Sequence, residues 1–146
     1  MKPVRLAGFI LMGSLVFAQA PPDAFPSAAT MKQLMTDLIH PASNDILLLV
    51  YRGGPKDDKE WAAVRRGAVT LAESGNLLIL RGRARDQGDW LKNAKLLADA
   101  GTAAYKAAEA KDPKALTAVA ERIDGSCTTC HKQYRPDVFP REGGPR

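Results

Sequence analysis

Near the C-terminus of this 146-residue chain, Cys127, Cys130 and His131 spell C-x-x-C-H, and the chain has two cysteines in all. Two thiols at this spacing can each add across one vinyl group of a single porphyrin, giving two thioethers. An imidazole immediately after the second thiol then lies under the iron as proximal ligand. The pattern therefore reads as the attachment site of one covalent haem c. Three other chemistries use close cysteines. A redox C-x-x-C belongs to a thioredoxin-like strand-helix-strand context, which no stretch of this chain suggests. A zinc site needs two more ligands, and the two histidines are His131 and the remote His40. A disulfide between residues this close on a helix has poor geometry and leaves His131 without a role.

Compartment and composition agree with that chemistry. Lys2 and Arg5 form a positive start, Leu6 to Phe17 an apolar run, and Ala18-Gln19-Ala20 a small-x-small cleavage site, which is the pattern of a secretory signal peptide. The expected division is a signal over 1–20 and one mature domain over 21–146. The apolar run falls short of the roughly 20 residues that span a bilayer, so no stable membrane insertion is expected after cleavage. No cysteine follows the cleavage site, which excludes a lipoprotein. Export to the periplasm suits covalent haem attachment, which bacteria carry out beyond the cytoplasmic membrane. Loss of Lys2 and Arg5 lowers the net charge from +5 to +3. That mild excess suits an ordinary surface or an acidic redox partner, and no basic tract with interleaved aromatics points to nucleic acid. With both thiols committed to haem, stability must come from apolar packing, including packing around the porphyrin.

The elements that position the motif are helices. β-branched residues are sparse, strand-like alternation is absent, and apolar residues recur at three and four. After the proline-rich stretch from Pro21 to Pro26, a first helix capped by Ser27 or Thr30 carries the stripe Met31, Met35, Leu38, Ala42, Ile46 and Leu49, bends at Pro41, and ends by Gly53-Gly54-Pro55. A second, opening at Asp57 or Asp58, carries Trp61, Val64, Ala68, Leu71, Gly75 and Leu78 and stops near Arg81-Gly82. Gly75 lies on this seam, where a neighbouring helix or the haem edge could approach closely. A third carries Trp90, Ala94, Leu97, Gly101, Ala104 and Ala108. A fourth, capped by Asp112 with Pro113 at its first position, carries Leu116, Ala120, Ile123, Cys127, Cys130 and Tyr134 and ends at Arg135-Pro136. The expectation is an all-α antiparallel up-down-up-down four-helix bundle with a covalently bound haem near one end. In that topology the start of the first helix, the end of the second, the start of the third and the end of the fourth meet around His131.

With this pattern, the chain resembles the class II c-type cytochromes, the family of cytochrome c prime and its low-spin relatives. The resemblance rests on a haem motif near the C-terminus and on Cys127-x-x-Cys130-His131-x-x-Tyr134-Arg135, since an aromatic and a basic residue after C-x-x-C-H are typical of that family's last helix. It implies a choice at the sixth iron position. Cytochrome c prime leaves it empty behind an apolar residue of the first helix and binds nitric oxide or carbon monoxide. The low-spin relatives place a methionine there and carry electrons. Met35 and Met31 lie four apart on the first helix, and similar low-spin sequences carry their methionine shortly before an aliphatic pair and a proline, as in Met35 to Pro41. Met35 is therefore the expected distal ligand, ahead of Met31, an empty site and His40; on an α-helix His40 falls about 140° around from Met35 and reads as a surface residue or a partner for a carbonyl freed by Pro41. Arg81, with Arg83, Arg85 and Lys92, is a candidate for the haem propionates, as is Arg135. Tyr134 and Trp90 are candidates to pack on the porphyrin or in the core. The resulting expectation is a non-enzymatic, periplasmic monohaem carrier that passes single electrons between redox partner proteins. The alternatives are a five-coordinate gas-binding haem protein and a haem protein with a structural role. Relatives of this fold often dimerise through their first two helices, which makes a homodimer the implied assembly.

Overall fold

The computed structural model describes residues 27–80 and 82–138. The expected signal segment and Arg81 lie outside them. Among the described residues there are four helical stretches and no strand. The first, α1, runs from Met31–Gln33 through a π-helical stretch, Leu34–Ile39, into His40–Tyr51; α2 is Asp58–Ile79, α3 Asp89–Glu109 and α4 Pro113–Tyr134. No helix of the described residues is long and apolar enough to cross a membrane.

Local chemistry sets the boundaries. Thr30 and Gln33 form a capping box at the start of α1, each side chain meeting the other residue's backbone N–H. Asp57 caps α2 by accepting from the amide of Glu60, and Asp112 caps α4 by accepting from Lys114 and Ala115, with Pro113 beginning the helix. Gly88 has no side chain to cap α3. Asp86, two residues earlier, takes over by accepting from the amides of Gly88 at 2.8 Å and Trp90 at 3.0 Å.

A widened turn accommodates Pro41 in α1. The proline ring would collide with the carbonyl one α-turn back, and the helix widens ahead of it. The amide of His40 bonds to the carbonyl of Met35, five residues away, and Pro41 enters the first turn of the following α-helix, where no N–H is needed. The widened turn shifts the phase of the apolar stripe. Leu38, expected inside, is 37% exposed, whereas Leu34 and Ile39 are each 4% exposed.

The other three seams are buried as their spacing predicts, except where α4 meets the cavity described below. Ile46, Val64, Leu71, Leu116 and Ile123 form the innermost layer. The α2 and α3 backbones approach closely through paired glycines. A Cβ on Gly101 would stand 2.3 Å from the Ala72 amide nitrogen, and one on Gly75 2.6 Å from the Ala98 Cβ. Gly75 therefore admits a neighbouring helix. The π-turn of α1, the ends of α2 and α4 and the first half of α3 all contribute to one cavity, whose lining includes Cys127, Cys130 and His131.

Candidate functional site

The region around this cavity is organised by contacts that fix the last turn of α4. The Trp90 indole N–H donates to the Leu78 carbonyl at 2.8 Å, tying α3 to the end of α2. Tyr134 packs edge-on against Trp90, with ring centroids 4.9 Å apart, and its hydroxyl donates to Asp86. Gln133 accepts from Asn93 at 3.3 Å and donates to Asp89 at 3.2 Å. Arg83 donates to the carbonyls of Leu77 and Ala29 at 3.0 and 2.9 Å, which joins the connection after α2 to the approach to α1. Its buried Nε has no hydrogen-bond partner among the described residues. The helix that carries the two cysteines and His131 is thus held at its end by side chains from α3 and the connection before it.

Beside this anchor lies a cavity of about 400 Å³, within the range of small-molecule sites, about 300–1,000 Å³. The α4 wall presents Asp124, Ser126, Cys127, Cys130 and His131; the α1 wall presents Met35, Ile39, His40, Ser43, Asn44 and Leu47. Leu78, Asn93 and Leu97 contribute from α2 and α3, and Val138 from beyond α4. The hydroxyls of Ser43 and Ser126 are satisfied by carbonyls of their own helices, at 2.9 and 2.8 Å. The surface left is mostly aliphatic, with sulfur and imidazole donors set into it.

The electrostatics suit the two thiols and the His131 imidazole in neutral form. Burial pushes the Cys127 thiol up, reinforced by the nearby Asp124 carboxylate, and burial then the neighbouring Cys127 raise Cys130. These are the reverse of the conditions that make a nucleophilic redox thiolate. His131 is held below the usual histidine range by burial first and the Arg135 guanidinium second, which favours the neutral, ligating imidazole.

The cavity collects Met35 from α1 and Cys127, Cys130 and His131 from α4. Met31 does not line it; it faces a separate groove with Arg83 and Arg85. Arg135 pairs with Asp137 on the surface, and Trp90 and Tyr134 stand behind the α4 wall as its anchor. The residues that sequence reasoning passed over are Ile39, Ser43, Asn44, Leu47, Leu97, Asp124, Ser126 and Val138. Ile39, His40 and Ser43 reach the cavity because of the π-turn, for which Pro41 is the one signal in the sequence. Among the described residues, no three His, Cys, Asp or Glu side chains cluster to hold a metal ion by themselves. Met35 adds a thioether to the two thiols and the imidazole that line the cavity, a set that a porphyrin would complete. The residues fit one by their chemistry: two thiols for vinyl groups, an imidazole next to them in the chain, a thioether from α1 and aliphatic lining from Ile39, Leu47, Leu78 and Leu97. No protein-family model, curated protein or solved structure matches the chain.

Proposed function

We propose that this chain is a periplasmic monohaem c-type cytochrome of the class II kind, an antiparallel up-down-up-down four-helix bundle that carries single electrons between redox partner proteins. The observation that carries the reading is the cavity that C-x-x-C-H shares with Met35, residues 92 positions apart in sequence. Cys127 and Cys130 would hold the haem through thioethers, and His131 and Met35 would supply the protein's iron ligands. When bound, the haem supplies the Fe(III)/Fe(II) couple. The chain's own groups do the rest. Ile39, Leu47, Leu78 and Leu97 exclude water, which with a histidine–methionine pair favours the reduced state. Asp86, Trp90 and Gln133 keep the last turn of α4, and with it His131, in one orientation. No acid-base pair is required of the protein, since the reaction makes and breaks no substrate bond.

The signal at 1–20 would deliver the chain to the periplasm, where attachment takes place. Spectra of the purified holoprotein test the reading. A low-spin ferric form with a methionine-to-iron charge-transfer band, lost in Met35→Ala, is expected. High-spin iron in the wild type with rapid carbon monoxide binding would point instead to the five-coordinate gas-binding alternative.

A further inference from the structure

We propose that His40 is a second distal donor, placed beside Met35 by the π-helical turn, which closes the sixth iron position whenever the thioether leaves it. The inference rests on the haem reading above. On a regular α-helix His40 would point well away from Met35. Here the turn between them is closed by the His40 amide bonding to the Met35 carbonyl, so one widened turn separates the residues and both side chains line the same cavity. Among the lining residues, α1 contributes one thioether and one imidazole; its other polar groups there, Ser43 and Asn44, offer neutral oxygen or amide atoms, which are poor ligands for haem iron beside imidazole. Among the described residues, no lysine or arginine lines the cavity to compete.

The His40 ring is also available. It is exposed at the cavity rim, and its side chain makes no hydrogen bond among the described residues, whereas its carbonyl is engaged by the Ser43 hydroxyl at 2.9 Å. The backbone is thus held while the ring can turn inward at the cost of ordinary rotamer entropy. An imidazole that takes the site on thioether dissociation leaves the iron six-coordinate, and carbon monoxide must then displace a ligand in either state. The two donors together would bias this cavity toward electron transfer and against gas capture.

Haem-loaded Met35→Ala, His40→Ala and the double variant, matched to wild type by far-ultraviolet circular dichroism, test this by electron paramagnetic resonance and carbon monoxide mixing. Met35→Ala is expected to lose the charge-transfer band yet stay low-spin with a bis-imidazole signature. The double variant is expected to become high-spin and to bind carbon monoxide at least about tenfold faster than Met35→Ala. His40→Ala alone should keep the band and bind carbon monoxide severalfold faster than wild type, which tests the idea without disturbing Met35. High-spin Met35→Ala that matches the double variant, or an unchanged rate in His40→Ala, would overturn the role of His40 and leave the haem assignment standing. Wild-type protein without covalent haem would remove both.

Discussion

The close approach of α2 and α3 allows a sharp test, because two glycine-to-alanine changes should have opposite signs. Both Gly101 and Gly125 lie inside helices, where alanine is favoured over glycine by about 1 kcal/mol. At Gly125 a Cβ would meet nothing within 4 Å, so Gly125→Ala should stabilise by about 0.5–1 kcal/mol. At Gly101 the new Cβ would stand 2.3 Å from the Ala72 nitrogen, 2.8 Å from the Leu71 carbonyl carbon and 2.9 Å from the Ala68 carbonyl oxygen. All three are backbone atoms, so no side chain can swing aside. Reaching even 3.0 Å requires the two helices to part by about 0.7 Å at their tightest point. Overpacking of this kind costs about 1–3 kcal/mol and can exceed it, and with the upper value the helix-propensity gain still leaves Gly101→Ala about 2 kcal/mol less stable than wild type. Urea unfolding of the holoproteins, followed by circular dichroism, should separate the variants by roughly 3 kcal/mol. Gly101→Ala as stable as Gly125→Ala would refute the packing described for α2 and α3.

Three further outcomes follow from the same structure. Partial burial, then the hydrogen bond to Asp86 and its negative charge, push the Tyr134 phenol up to about 12 from an ordinary 10.0. Its folded value lies above its unfolded one, so its contribution to stability is complete below about pH 10 and is lost as pH rises toward about 12; Tyr134→Phe should flatten the alkaline stability profile in that window, and an unchanged profile would show that the Asp86 contact is not maintained. Asp86 itself is lowered, chiefly by that phenol, so its contribution is present above about pH 3.8 and fades as the pH falls, which Asp86→Asn should remove from the acid limb. Asp112→Ala removes the acceptor for two amides at the start of the helix that carries C-x-x-C-H; a loss of about 1 kcal/mol in urea unfolding is expected, and no loss would mean that the cap is idle.

Where side-chain chemistry acts locally, the sequence alone was enough. Thr30, Asp57, Asp112 and Pro113 announce helix starts because a short acceptor or a fixed φ answers a need of the first turn, whatever the surroundings. Three of the four apolar stripes survive because straight α-helices keep their period. The first does not, since its phase depends on how the chain accommodates Pro41, and a widened turn cannot be told from a regular one by a proline seen only in sequence. That one choice exposes Leu38, buries Leu34 and Ile39, and sets His40, exposed as expected, at the cavity rim. The role of Asp86 was hidden for a different reason. It caps a helix that it does not directly precede and receives a hydroxyl from Tyr134, 48 residues away, and such pairings arise only once the helices are placed. Arg83 shows the same limit, with its guanidinium engaged by the carbonyls of Leu77 and Ala29.

The central claim, covalent haem on Cys127 and Cys130 beside His131, is tested most directly by the intact mass of denatured protein purified from a bacterial host with c-type haem maturation. The account predicts that wild type carries the added mass of one haem through denaturation and that Cys127→Ala/Cys130→Ala loses it. A wild-type mass equal to that of the bare mature polypeptide, or haem that stays covalently attached in the double variant, would contradict it.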